Sequence, residues 1–400
     1  MKLSHRINNI EEPQTIGMAQ KSRELKAQGV DMISLSLGEP DFTTPDIIKL
    51  AAKKSIDENF SYYTHVSGYI ELRQAIAKKF KRDNNLDYQP EQIVVSTGAK
   101  QSIANAMLCL VNPGEEVIVP APYWVTYPEQ VKLAEGKSVI LPTKVQDNFK
   151  ITPQQLKNAI TSKTRLIVFS SPCNPTGSVY TKEELKAIAE VIVQYPELYV
   201  ISDEIYEHIN FIGKHESIAQ FDAMKERTIV VNGASKSFAM TGWRVGYLAA
   251  PLWIAKACDK IQGQFTSATC SIAQKAMHCA AELDVSIIYP MRDAFKRRRD
   301  LVYELLKEIP GVKTNFPNGA FYFFPDISYY LGKKNLFFRE GSKIKSSSDL
   351  CMYLLEKGHV ALVPGDAFGD DNHIRISYAA AEDKLMEAMK RIKKALGELE

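Results

Sequence analysis

Thr228-Ile-Val-Val-Asn-Gly-Ala-Ser-Lys-Ser-Phe-Ala-Met-Thr-Gly-Trp-Arg244 starts as a short apolar, β-branched run and ends in small and polar residues around one lysine, Lys236. The first five residues read as a buried strand and the rest as a turn at its carboxyl end. Lysine is strongly hydrated and ordinarily sits on surfaces, so its place between Ser235 and Ser237 at the end of a buried strand needs a reason.

Four further runs have the same character: Ile93-Val-Val-Ser-Thr97, Glu116-Val-Ile-Val-Pro120, Arg165-Leu-Ile-Val-Phe-Ser170 and Leu198-Tyr-Val-Ile-Ser202. Between them, Lys100 to Val111 and Lys182 to Gln194 carry apolar residues at helical spacing, which predicts an α/β fold on a mostly parallel sheet. In such sheets ligands gather at the carboxyl ends of the strands. From about Ala281 the pattern changes to a long charged helix, a strand at Ala320-Phe-Tyr-Phe-Phe324 and an amphipathic helix from Glu382 through Leu399, which reads as a second domain. A chain of 400 residues exceeds what one core usually serves. Gly332 to Ser348, polar and basic, reads as a surface loop.

Composition removes several function classes. With 45% hydrophobic and 24% charged residues, and no uninterrupted apolar run near the roughly 18 residues of a membrane span, the chain reads as soluble. Its 50 basic and 47 acidic residues give no electrostatic reason to expect nucleic acid. The run Lys296-Arg-Arg-Arg299 reads as a solvated helix face. Six cysteines without a Cys-x-x-Cys pair, and an N-terminus without a signal-peptide core, predict free thiols and a cytoplasmic protein. Seven scattered histidines make no metal motif, and no Gly-x-Gly-x-x-Gly follows a strand.

Polar motifs follow four of the strands. Ser171-Pro-Cys-Asn-Pro-Thr-Gly177 is a stiff turn that would hold the Asn174 amide in place. Asp203-Glu-Ile-Tyr206 puts a carboxylate where it is costly without a cation. Gly98-Ala-Lys-Gln101 opens a helix whose N-H groups suit an anion, with Ser235 and Arg244 completing a phosphate cradle. A desolvated lysine, a carboxylate in need of a cation, a phosphate cup and a polar turn together predict pyridoxal phosphate, held by Lys236 as a Schiff base, with Asp203 on the pyridine nitrogen.

These motifs, together with Ser36-Leu-Gly-Glu-Pro-Asp-Phe42, Pro122-Tyr-Trp-Val-Thr-Tyr127 and Ile374-Arg-Ile-Ser-Tyr378, resemble the fold-type I, class I aminotransferases, most closely their bacterial aspartate aminotransferase branch. The resemblance runs from about residue 12 to the last helix. It implies a large domain over 46–285 with a mostly parallel seven-stranded sheet flanked by helices, and a smaller α+β domain from 1–45 and 286–400. It gives catalytic roles to Lys236, Asp203 and Tyr206. Asn174 and Tyr206 would donate to the phenolic oxygen, Trp124 would stack on the ring, and Gly98, Ala99, Lys100, Ser235 and Arg244 would line the cofactor site. Tyr63 would reach the phosphate from the partner of a homodimer. Arg375 would fork onto the substrate α-carboxylate, helped by Gly38 and Asn174, and Lys100 and Thr15 would meet a second carboxylate. Gln14, beside Thr15, departs from the smaller residue usual there. The implied reaction is ping-pong amino transfer from an L-amino acid, first of all aspartate, to 2-oxoglutarate. The alternatives are an aromatic amino acid or prephenate aminotransferase, or a C–S lyase on the same fold.

Overall fold

The computed structural model describes residues 3–12, 14–335 and 342–400. Seven strands form its main sheet, in the order Ile93–Ser96, Gly246–Ala249, Thr228–Gly233, Tyr199–Asp203, Thr164–Ser170, Glu116–Ala121 and Lys137–Pro142. All run the same way except Gly246–Ala249, which is antiparallel to both its neighbours. Ile93–Ser96, Thr164–Ser170 and Thr228–Gly233 are almost wholly buried on both faces, which is why they read as continuous β-branched runs rather than alternating ones. The predicted mostly parallel seven-stranded sheet is therefore present. Its edge strand Lys137–Pro142 has half of its residues exposed and none buried.

Helices cover both faces. Lys182–Ile192 starts at a capping box: the Glu184 N-H donates to Thr181 Oγ1 at 3.2 Å and the Thr181 N-H to Glu184 Oε2 at 2.8 Å, satisfying two N-H groups that the helix cannot. Its buried face, Leu185, Ile188 and Ile192, packs with Ile167 and Val200 of the sheet. On the other face Ile103, Met107 and Leu110 of helix Ala99–Leu110 pack with Val94, Val117 and Val119.

The two chain ends meet beyond this sheet. Ile33–Ser34 pairs in parallel with Val360–Ala361, and Ile374–Ser377 lies antiparallel between Val363–Pro364 and Tyr322–Phe323. The Leu35 N-H donates to Ala361 O and the Ser377 N-H to Leu35 O, each at 2.9 Å, so Ser36 to Gly38 run beside the strand that carries Arg375.

Two expectations need correction. Gly332 to Ser348 is not simply a loop: Lys334–Asn335 pairs antiparallel with Ser342–Lys343, and Ser346 caps helix Ser347–Glu356 by accepting from the Asp349 N-H. The expectation for 336–341 lies outside the described residues. Nor is Lys296 to Arg299 one solvated face, because four consecutive helical residues sweep most of a turn. In helix Tyr289–Lys307, Lys296 and Arg297 are exposed, whereas Arg298 is buried and donates to Asp41 Oδ1 at 2.7 Å, and Arg299 is buried with its guanidinium 4.1 Å over the Phe316 ring. No described helix is long and apolar enough to cross a membrane.

Candidate active site

Because Gly246–Ala249 runs backwards, its amino-terminal approach lies at the same edge as the carboxyl ends of the other strands. That edge opens into a cavity whose lining includes Lys236, Asp203, Tyr206, Asn174, Ser235 and Arg244.

Lys236 lies in a turn after Thr228–Gly233, held by bonds from the Phe238 N-H to Ala234 O and the Met240 N-H to Ser235 O, both 3.1 Å. A Cβ on Gly233 would come within 2.9 Å of the Gly246 Cα, so the close antiparallel pair entering the turn requires glycine there. The Lys236 Nζ donates to Gly38 O at 2.5 Å. Burial, reinforced by Arg375, lowers its pKa to about 8.

Asp203 ends its strand level with Ser170 and Val231 of its neighbours. It is 5% exposed. Its hydrogen bonds come from the Tyr127 hydroxyl at 2.8 Å and the Ile205 N-H at 3.3 Å, neither of them charged, and burial raises its pKa to about 6. A carboxylate in that state is held ready for a cation.

Arg375 is the converse case. It is buried, and it donates to Asn174 Oδ1 at 3.0 Å and Ser36 O at 2.6 Å, both neutral acceptors, while its Nε finds no partner. The rings of Tyr322 and Phe368 lie 4.6 and 5.1 Å from the guanidinium, and burial lowers its pKa. A desolvated guanidinium with only neutral partners suits a carboxylate. Asn174, held in its turn by the Gly177 N-H bonding Cys173 O at 2.8 Å, spends its oxygen on Arg375 and keeps its amide hydrogens for another group.

An anion cup lies opposite. Gly98, at φ +84°, is the N-cap of Ala99–Leu110, and a Cβ there would come 2.3 Å from Arg244 Nη2. Glycine thus lets the guanidinium lie against the helix N-terminus, and a Cβ on Gly246 would likewise meet the Ala99 nitrogen at 2.4 Å. Arg244, itself in the left-handed region at φ 53°, is fixed by an Nη1 bond to Thr241 O at 2.7 Å. Helix N-H groups, a guanidinium and the Ser235 hydroxyl converge as an oxyanion site requires. Beside it the Lys100 Nζ stands 5.1 Å over the Trp124 ring, with its pKa lowered by burial and by Arg244. A model of the family described as aminotransferase class I and II matches residues 30–392.

The chain belongs to that family.

This aminotransferase is 48% identical over 400 residues, spanning 99% of its own length and 83% of the relative's, to a Petunia hybrida protein named bifunctional aspartate aminotransferase and glutamate/aspartate-prephenate aminotransferase. It is 46% identical to the aspartate/prephenate aminotransferase of Cereibacter sphaeroides, covering 98% of this chain and 97% of the other. The crystal structure of the Rhizobium meliloti aspartate aminotransferase superposes with a TM-score of 0.95 at 40% identity, covering both chains completely. The fold-type I reading from sequence is thereby established.

In the aminotransferase cavity the structure brings together Gly38, Ala99, Lys100, Trp124, Asn174, Asp203, Tyr206, Ser235, Lys236, Arg244 and Arg375, with Gly98 against Arg244. It does not bring Tyr63, which is 98% exposed on this chain and absent from the lining. The side chain of Thr15 lies outside the described residues. Sequence reasoning missed Tyr127, which holds Asp203, and Tyr322, whose hydroxyl lies 2.8 Å from that of Tyr206. Tyr127 belonged to a quoted motif without a role; its spacing of three from Trp124 at a helix start was the available signal. Tyr322 sits in a run of aromatics buried throughout, where nothing separates a site residue from core.

Proposed function

We propose that this aminotransferase transfers the amino group of L-aspartate to 2-oxoglutarate with pyridoxal phosphate, in two half-reactions. The observation that carries the reading is the set of uncompensated groups in one cavity: an amine shifted to about 8, a carboxylate with neutral partners shifted to about 6, and a buried guanidinium with neutral partners. The residues fit the cofactor. Lys236 would hold its aldehyde, Asp203 its pyridine nitrogen and Trp124 its ring face; Asn174 and Tyr206 would donate to its phenolic oxygen, and Gly98, Ala99, Ser235 and Arg244 would hold its phosphate. When bound, pyridoxal phosphate supplies an electron sink that makes the substrate Cα–H acidic.

The chain's own groups do the rest. Arg375 fixes the substrate α-carboxylate by a bidentate contact and thereby orients the Cα–H toward Lys236. The Lys236 Nζ, with a pKa close to working pH, takes up the Cα proton and returns it on the other side of the exchange. The donor leaves as its 2-oxo acid before the acceptor binds, which is ping-pong kinetics. A visible spectrum tests this: a yellow band should bleach on adding L-aspartate alone and return with 2-oxoglutarate. Protein that stays colourless with added pyridoxal phosphate sinks the reading, and a band indifferent to aspartate sinks the substrate. Prephenate as an acceptor stands second, supported by the names of the Petunia hybrida and Cereibacter sphaeroides relatives.

We assign the second carboxylate of a dicarboxylic substrate to Lys100, which lines the cavity beside Trp124. Lys100→Ser is expected to raise KM for aspartate and glutamate by about ten- to a hundredfold while leaving tyrosine nearly unaffected. Equal losses for all three would remove that assignment.

A homodimer belongs to the same reading, because Tyr63, at 98% exposure, presents an aromatic hydroxyl that would complete the phosphate site of a second subunit. Sedimentation at assay concentration should give a dimer, and Tyr63→Phe should weaken pyridoxal phosphate binding. A fully active monomer overturns it. The division into a cofactor-binding domain over 46–285 and a smaller one from 1–45 and 286–400, and a cytoplasmic location, also stand as part of this proposal.

A further inference from the structure

Tyr322 lines the same cavity but has no part in the roles above. Fully buried, it occupies the strand paired with Ile374–Ser377, which carries Arg375. Its hydroxyl and that of Tyr206 are 2.8 Å apart, so one donates and the other accepts. The surroundings decide which. The Arg375 guanidinium lies 4.6 Å from the Tyr322 ring, whereas over the Tyr206 ring the Lys236 Nζ stands off at 5.9 Å. A cation beside a phenol makes it the stronger acid, and in a pair of phenols the stronger acid is the better donor. The titration directions agree: burial raises both phenols; for Tyr322 the largest opposing influence is Arg375, whereas for Tyr206 the upward push of Tyr322 comes ahead of the opposition from Arg375. Gly38 fits this arrangement, since a Cβ there would lie 2.6 Å from the Tyr322 hydroxyl.

We propose that Tyr322 is a positioning residue whose hydroxyl donates to the Tyr206 oxygen, leaving the Tyr206 proton to face the cofactor, and that it thereby couples the carboxylate site at Arg375 to the cofactor's phenolic oxygen. The inference rests on the pyridoxal phosphate reading above. A carboxylate on Arg375 neutralises the charge that makes Tyr322 the donor, so binding at one end of the relay weakens the hydrogen bond at the other. Substrate arrival is then felt at Tyr206 without any movement of the backbone.

The test uses the cofactor-loaded protein, its Tyr322→Phe and Tyr206→Phe variants and the double variant. The readouts are kcat/KM and the pH midpoint of the visible band with and without succinate, a dicarboxylate with no amino or oxo group. Tyr322→Phe keeps the ring and should lower kcat/KM by about three- to tenfold, the worth of one neutral hydrogen bond. It should also shrink the displacement of the midpoint by succinate to less than half of the parent's. In the Tyr206→Phe background the same substitution should change neither quantity, since Tyr322 then has nothing to act through. Additive effects of the two substitutions, or an undiminished succinate displacement in Tyr322→Phe, overturn the relay. Should Tyr322→Phe fail to fold, the Tyr206→Phe protein decides alone: Arg375 also acts directly on Lys236, so a residual displacement is expected, but it must fall below half of the parent's, and retention of more than half overturns the proposal. Absence of any visible band in the parent overturns the cofactor reading together with this one, whereas a normal band with additive effects overturns only the relay.

Discussion

Lys236→Ala is expected to lose turnover by at least about a thousandfold, because on the proposed function it removes both the cofactor's covalent anchor and the group that moves the proton. The protein itself should fold, since the substitution deletes an amine that burial already disfavours and leaves a small residue between Ser235 and Ser237. Retention of more than about a hundredth of the parent activity would take the proton-transfer role away from this residue. The parent protein offers a companion measurement. Only the neutral amine attacks an aldehyde, and its fraction grows as pH rises through the lysine's own pKa. The rate at which the visible band forms on mixing with pyridoxal phosphate should therefore climb with pH and level off above about 8. A rate still climbing toward 10 would mean an ordinary exposed lysine.

On the proposed function Asp203→Asn should lower kcat by about a hundred- to a thousandfold, because a neutral amide no longer keeps the pyridine nitrogen protonated and the charge developing in the ring loses its electrostatic support. Its effect on stability should have the opposite sign in the cofactor-free protein. The folded state raises this carboxyl from 3.8 to about 6, so its protonated form is the one that the fold favours. Its contribution to stability is complete below about pH 4 and is lost as pH rises through about 6. The resulting cost near neutrality is about 3 kcal/mol. Cofactor-free Asp203→Asn should thus melt higher than the parent at pH 8, and the difference should vanish near pH 4. Pyridoxal phosphate should reverse the order by giving the parent carboxylate its cation. Identical melting of the two cofactor-free proteins at pH 8 would show that Asp203 is not held against its charge.

What could be read in the sequence follows from how each group is exposed to view there. Lys236, Asp203 and Arg244 announce themselves because they follow buried runs in which a charge has no structural excuse. Arg375 follows an ordinary Ile-Arg-Ile alternation, and only the resemblance to the family gave it a role. Tyr322 was illegible, and Tyr127 was passed over despite its spacing from Trp124, because a buried aromatic is core by default and their hydroxyl partners, Tyr206 and Asp203, are distant in sequence. Two strands of the main sheet were not individually recognised. Lys137–Pro142 sits at the sheet edge with half of its residues exposed and none buried, and Gly246–Ala249 is a four-residue run with two residues of weak strand preference. The buried pair Arg298 and Arg299 shows that consecutive charges on a helix must be placed around its axis before they are called a surface.

The hydrogen bond from Arg375 to Ser36 O joins residues 339 positions apart. A ribosome delivers Ser36 long before Arg375, and at about 5–20 residues per second the gap between them is tens of seconds. The last strand of the main sheet ends at Ala249, so Lys236 and that sheet exist for only about the last third of the interval, while the strand that carries Arg375 is still to be made. On the proposed function, a nascent chain therefore assembles its cofactor site before its carboxylate site, and gains catalytic power only once the strand carrying Arg375 has joined the backbone of Ser36.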